Sequence, residues 1–126
     1  MLHELYNSGS YIVRMDALAV LADPVRRRIV ECLADHEVPA GELVDVMRAE
    51  FGLVQPATSR HLRRLREVGL VHSRPDGTRR LYSLDPDALR DIDVWLDQFR
   101  GLWSSALSAL DAEVRRGRSS TRCETA

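Results

Sequence analysis

Gln55, Ser59, Arg60 and Arg63 stand within one short stretch at helical spacing. Arginine presents a fork of donors that matches guanine. Glutamine pairs in the same two-pronged way with adenine, and a serine hydroxyl serves either base. Together they have the chemistry of base-edge readout in double-stranded DNA. His61 and Arg64 flank them and suit phosphate oxygens, as do Arg74, Arg79 and Arg80 a little farther on, in reach of backbone or minor groove. On a helix, Thr58 (by its methyl), Leu62, Leu65 and Gly69 share one face, so Gln55, Ser59, Arg60 and Arg63 occupy the other. They also sit early in that helix, in the part that meets base edges in recognition helices.

Charge supports this placement. The 126 residues carry a net charge of −1. Between Val54 and Arg80, seven arginines face two acids, Glu67 and Asp76, which gives +5 and leaves −6 for the rest of the chain. A basic stripe within an acidic protein is the electrostatic footprint of a nucleic-acid partner. The chain has no lysine, so all of this positive charge is arginine.

Other chemistries lack their residues. There is no Ser/His/Asp or Cys/His arrangement, no phosphate-cradling glycine loop and no carboxylate pair in a plausible cleft, so an enzyme is not expected. Asp85, Asp87, Asp91, Asp93 and Asp97 read as the start and solvated face of a helix, where the dipole favours acids. No apolar run approaches the roughly 20 residues that span a bilayer, and Met1 to Ser10 lacks a signal-peptide pattern. A cytoplasmic protein without a membrane partner is expected. Two cysteines, Cys32 and Cys123, make no disulfide framework.

The elements that position the basic residues follow from period and punctuation. A first helix is expected over 10–22, with Ile12 and Met15 on its apolar side. Asp23-Pro24 caps and opens a second, which buries Val25, Ile29, Cys32 and Leu33 and ends at Asp35-His36-Glu37. A third runs from Pro39 to Phe51, stopped by Gly52, and a fourth from Gln55-Pro56 to Val68, stopped by Gly69. These two form a helix-turn-helix over 39–69. Leu70 to Arg74 and Arg79 to Leu84, joined through Asp76-Gly77, read as a β-hairpin over 70–84. Asp85-Pro86 opens a last helix over 86–115, about 45 Å long at 1.5 Å per residue. Leu89, Ile92, Leu96, Phe99, Trp103, Ala106 and Leu110 alternate at spacings of three and four along it, and Trp95, Leu102 and Leu107 widen the stripe. So small a core cannot cover such a stripe, and the simplest partner is a second copy of the chain. The expected fold is mostly α with a β-hairpin wing: one winged helix-turn-helix domain over 1–117 with dimerisation helices at both ends and a disordered tail over 118–126. The interface residues would be Ile12, Met15, Ile92, Trp95, Phe99, Leu102, Trp103 and Leu110.

Several linked motifs resemble the ArsR/SmtB family of winged helix-turn-helix regulators. Leu21-Ala22-Asp23-Pro24-Val25-Arg26-Arg27-Arg28-Ile29 is similar to its second-helix motif, and Gln55-Pro56-Ala57-Thr58-Ser59-Arg60-His61-Leu62 to its recognition helix. Leu65-Arg66-Glu67-Val68-Gly69-Leu70-Val71 and the hairpin ending in Leu81-Tyr82-Ser83-Leu84 extend the likeness, which covers roughly residues 15 to 105. It implies a homodimer on a palindromic operator, usually a repressor released by a signal. Two departures stand out. Val54 occupies the place of a common capping serine, which leaves Gln55 to cap. The stretch from Glu42 to Val54 is about one turn longer than in many members, as in a branch without a known metal site.

The family's thiolate site needs closely spaced cysteines in the third helix, and none lies between Cys32 and Cys123. Its other site needs paired ligands on the last helix, where alignment on Leu81-Tyr82-Ser83-Leu84 places Pro86, Ala88, Phe99 and Leu102. No metal and no other cofactor is expected, and the effector stays unidentified. Cys32 on an apolar stripe reads as a small hydrophobe. A Cys32–Cys123 switch would require the tail to fold back. Trp95, Phe99, Leu102 and Trp103 could instead line a pocket for an apolar ligand. Two alternatives stay open: a metal- or thiol-redox-responsive repressor, and a winged-helix module that binds proteins and ignores DNA.

Overall fold

The computed structural model describes residues 16–124, with side chains described over 16–118. His3, Ile12 and Met15 lie outside the described residues, as does the side chain of Cys123. The end of the first expected helix is present as helical backbone over 16–20, with Ala17 and Val20 buried.

Helix α1 (Pro24–Cys32) starts where Asp23-Pro24 directs it. The Asp23 carboxylate accepts hydrogen bonds from the backbone N–H of Val25 at 2.8 Å and of Arg26 at 3.2 Å. Pro24, at the first helical position, forfeits no internal bond. The helix ends at Cys32, ahead of the polar run at 35–37. Val38 and Pro39 then form a short strand, β1 (Val38–Pro39), where the sequence pattern places the start of a helix. The reason is tertiary: β1 pairs with a distant strand, and nothing local marks it. Helix α2 (Ala40–Phe51) follows, with Pro39 extended as its N-cap, and stops at Gly52 in the left-handed conformation.

Helix α3 (Gln55–Glu67) buries Thr58, Leu62 and Leu65. The last two join Ile29, Leu43 and Met47 in the core. Each large apolar side chain so buried contributes about 1.5–3 kcal/mol, and this anchorage fixes which face of α3 looks outward. The end of α3 is a Schellman motif: Gly69 N–H donates to the Arg66 carbonyl and Leu70 N–H to the Leu65 carbonyl, both at 3.1 Å. Leu65 and Leu70 are both fully buried, which supplies the apolar contact this motif favours.

The wing is β2 (Val71–Asp76) against β3 (Arg79–Leu84), antiparallel, with Asp76 opposite Arg79 and Val71 opposite Leu84. Gly77 and Thr78 alone form the turn. Gly77 has φ +63° while Thr78 does not have positive φ, the combination of a II′ hairpin turn with glycine at its first central position. Strand β2 is therefore longer than expected, and Pro75 lies inside it. That is tolerated because the strand order is β1-β3-β2, which leaves β2 at an edge. Tyr82, opposite Val38 on β1, joins the core with Val38 and Val71.

The last expected helix, 86–115, is two helices: α4 (Pro86–Asp97) and α5 (Arg100–Glu124). Phe99 N–H donates to the Leu96 carbonyl and Leu102 N–H to the Phe99 carbonyl, so the ladder tightens across Gln98 and Phe99. The Gln98 side chain takes the Trp95 carbonyl at 2.9 Å, satisfying an acceptor that the end of α4 releases. Arg100 bridges back to Asp93 and Asp97. The apolar spacing runs through this point unbroken and does not reveal it. The segment expected as a disordered tail, 118–126, is helical backbone as far as Glu124, since nothing after Gly117 forbids α geometry. The fold comprises two compact units that divide between Ile92 and Asp93. No helix among the described residues is long and apolar enough to cross a membrane.

Thr58 is fully buried, and among the described residues its Oγ1 has no hydrogen-bond partner. An unpaired buried hydroxyl carries its desolvation cost without return. Thr58→Val is expected to raise unfolding stability by about 1 kcal/mol, read from denaturant melts. A loss of stability would show that the hydroxyl is paired after all.

Candidate nucleic-acid interface

The N-terminus of α3 has no side-chain cap: Val54 is the N-cap and Gln55 the first helical residue. The expectation that Gln55 caps is thus corrected, because its position within the helix leaves its amide out of that role. Gln55, Ser59, Arg60 and Arg63 are all exposed. Among the described residues, the side chains of Gln55, Ser59 and Arg63 make no hydrogen bond or ion pair, and Arg60 makes only a long bond, 3.4 Å, to the Pro56 carbonyl. An exposed row of donors without internal partners, next to an apolar face locked into the core, is available to an outside acceptor. Arg66 is likewise exposed and has no side-chain partner among the described residues.

The flanking residues are more engaged. His61 is half-buried and close enough to Asp23 to help hold its carboxyl below the ordinary pKa. Burial raises the Asp23 carboxyl, but the backbone N–H groups of Arg26 and Val25, with His61 and Arg26 beside it, hold it below its ordinary value. Arg64 sits 3.4 Å from Glu67. On the wing, Arg79 pairs with Asp76 across the turn at 3.0 Å, and Arg80 donates to Ser73 Oγ at 3.0 Å. Arg74 makes a forked pair with Glu37: Nε to Oε2 at 2.7 Å and Nη2 to Oε1 at 2.8 Å. Sequence reading missed Glu37 because 37 positions separate the partners.

The wing is tied to α4 at its base. Asp85 N–H donates to the Leu70 carbonyl at 2.9 Å, and its carboxylate caps α4 through Asp87 N–H at 2.8 Å and Ala88 N–H at 3.1 Å. His72 Nε2 lies 2.5 Å from the same carboxylate. The His72 bond first, then the Ala88 N–H, hold the Asp85 carboxyl below its ordinary range. Arg28 on α1 grips Glu50 on α2 through both carboxylate oxygens, at 2.8 and 2.9 Å. Cys32, half-buried beside them, has its thiol pushed up by burial and by Glu50 and Glu31, against the pull of Arg28. That favours the protonated, unreactive form. Among the described residues no three His, Cys, Asp or Glu side chains gather as a metal site.

Of the residues expected at an interface, Ile92 packs partly on its own core. Trp95 and Phe99 form an edge-to-face pair, centroids 5.1 Å apart. Leu102 is 74% exposed, Trp103 44% and Leu110 61%, and Leu107 and Val114 are exposed beside them.

Comparison with known proteins agrees with this geometry. Residues 21–74 match the helix-turn-helix domain family. The chain is 42% identical over 92 residues to the HTH-type transcriptional regulator Rv2034 of Mycobacterium tuberculosis, covering 73% of this chain and 79% of that one. It is 33% identical over 88 residues to the arsenical resistance operon repressor of Staphylococcus xylosus, covering 70% and 81%. A solved structure described as a possible transcriptional regulator for arsenical resistance superposes with a TM-score of 0.58 at 41% identity, over 68% of this chain and 84% of that one. With its helix-turn-helix, a paired wing and these relatives, the chain belongs to the ArsR/SmtB family of winged helix-turn-helix transcriptional regulators.

Proposed function

We propose that this DNA-binding regulator acts in the cytoplasm as a homodimeric repressor of a palindromic operator, controls its own gene, and is released by a signal other than a metal. The observation that carries the reading is the outward row on α3, where Gln55, Ser59 and Arg63 are exposed with no hydrogen-bond or ion-pair partner among the described residues. In this reading Gln55, Ser59, Arg60 and Arg63 meet base edges, while His61, Arg64, Arg74, Arg79 and Arg80 hold phosphates. The exposed stripe from Leu102 to Leu110 on α5 supports pairing with a second copy, since an apolar patch of this kind marks an interaction site. The relative from Staphylococcus xylosus is an arsenical resistance repressor. This chain lacks the clustered thiolates that would bind arsenite, and Pro86, Ala88, Phe99 and Leu102 offer no metal ligand.

Two arginines test the division between reading and holding. Arg60→Ala is expected to cost about 1–3 kcal/mol per subunit on the operator and to relax sequence preference. Arg79→Ala should weaken operator and random DNA alike and flatten the salt dependence. Anisotropy titrations on both duplexes check this. Equal losses from the two variants on both DNAs would remove Arg60 from base readout.

A further inference from the structure

We propose that Glu37 is an affinity-setting residue for DNA binding: its carboxylate occupies the fork of Arg74 as an internal stand-in for a phosphate, so that backbone phosphate engages Arg74 only by displacing it. This rests on the reading of the wing as a phosphate-contacting element.

The geometry is specific. Two parallel N–H···O bonds, at 2.7 and 2.8 Å, join Arg74 to both Glu37 oxygens. A guanidinium binds carboxylate and phosphate in this same forked manner, so the two acceptors compete for one donor set. The sheet builds the pair. Pro39 and Arg74 both lie opposite Leu81, one on each side of β3, and Glu37 precedes Pro39 by two residues. Side chains two apart along an extended backbone leave the same face, so Glu37 and Arg74 meet across the sheet. Both side chains remain about half exposed, which keeps the fork within reach of an outside acceptor. The Arg74 bond also holds the Glu37 carboxyl below its ordinary range, so it is charged at neutral pH. Neither other wing arginine has a forked partner: Arg79 meets one oxygen of Asp76, and Arg80 meets a neutral hydroxyl.

An exposed ion pair contributes little to stability, so exchange for a phosphate is within reach of binding, yet it withholds one counterion-releasing contact per subunit. The test uses the full chain and a random-sequence duplex of about three helical turns, because a phosphate contact needs no particular sequence. Glu37→Gln and Glu37→Asp are each measured alone and combined with Arg74→Ala, with affinity followed against salt. The aspartate keeps the charge and is one methylene too short for the fork. Each single variant is expected to bind about two- to fivefold tighter per subunit at low salt. Each should also steepen the log–log salt slope by about 0.9 per subunit. In the Arg74→Ala background both gains should vanish.

A gain that persists without Arg74 would make Glu37 a simple repulsive charge and overturn the proposal. So would an unchanged slope in a folded Glu37 variant, or loss of the fold in both variants by circular dichroism. Wild-type protein with no salt-dependent binding at all would instead overturn the DNA reading itself.

Discussion

Raising monovalent salt from about 50 to about 200 mM is expected to cost the complex with its operator a factor of about 10³ to 10⁵ in affinity. The range corresponds to 6–10 phosphates neutralised per complex, with each neutralised phosphate releasing condensed counterions. The sequence places +5 between Val54 and Arg80 in each chain, so two chains bring enough charge. Arg64, Arg74 and Arg79 carry carboxylate partners, whereas among the described residues Arg60, Arg63, Arg66 and Arg80 have none. Arg64, Arg79 and Arg80, with or without Arg74, give six to eight phosphate contacts in a dimer, inside that range. Footprinting on the protein's own upstream region should show two protected half-sites about one helical turn apart, or a multiple of it. Affinity that is flat in salt would leave the basic stripe as a solvated surface only.

Trp103→Ala is expected to take several kcal/mol from dimer stability. Burying a large aromatic side chain is worth about 2–3 kcal/mol by area, and truncation adds the loss of packing. The change is felt once in each subunit. In the isolated chain Trp103 is 44% exposed, between Leu102 at 74% and Leu107 at 62%, so much of that burial is still to be gained. Ile92, by contrast, already rests on its own core, and the same truncation there would be felt by the single chain. Operator binding should fall with Trp103→Ala although no DNA-contacting residue is touched, because one subunit engages only one half-site. Sedimentation and operator affinity, measured in parallel, check both parts. A wild-type protein that stays monomeric at micromolar concentration, or a Trp103→Ala protein that dimerises and binds normally, would place the interface elsewhere.

Much of this molecule is written locally. Asp23-Pro24 and Asp85-Pro86 announce helix starts, and Asp76-Gly77 announces the hairpin turn. Gly69 marks the end of α3, because capping and left-handed φ involve residues only a few positions apart. The outward face of α3 is equally legible, since Thr58, Leu62 and Leu65 recur at helical spacing and must be buried together. Spacing along the last helices did not disclose their break, because Gln98 and Phe99 keep the apolar period while the hydrogen-bond ladder tightens.

The sequence by itself determined the helices of the reader, the wing's turn and the side chains with base-reading chemistry, all through interactions between near neighbours. Only the tertiary structure decided that Val38 and Pro39 form a third strand, that Arg28 locks onto Glu50, and that Arg74 is already held by Glu37 while Arg63 is not. An arginine looks the same in a sequence whether it is free or paired. Which it is depends on what distant backbone pairing brings within about 3 Å of its guanidinium.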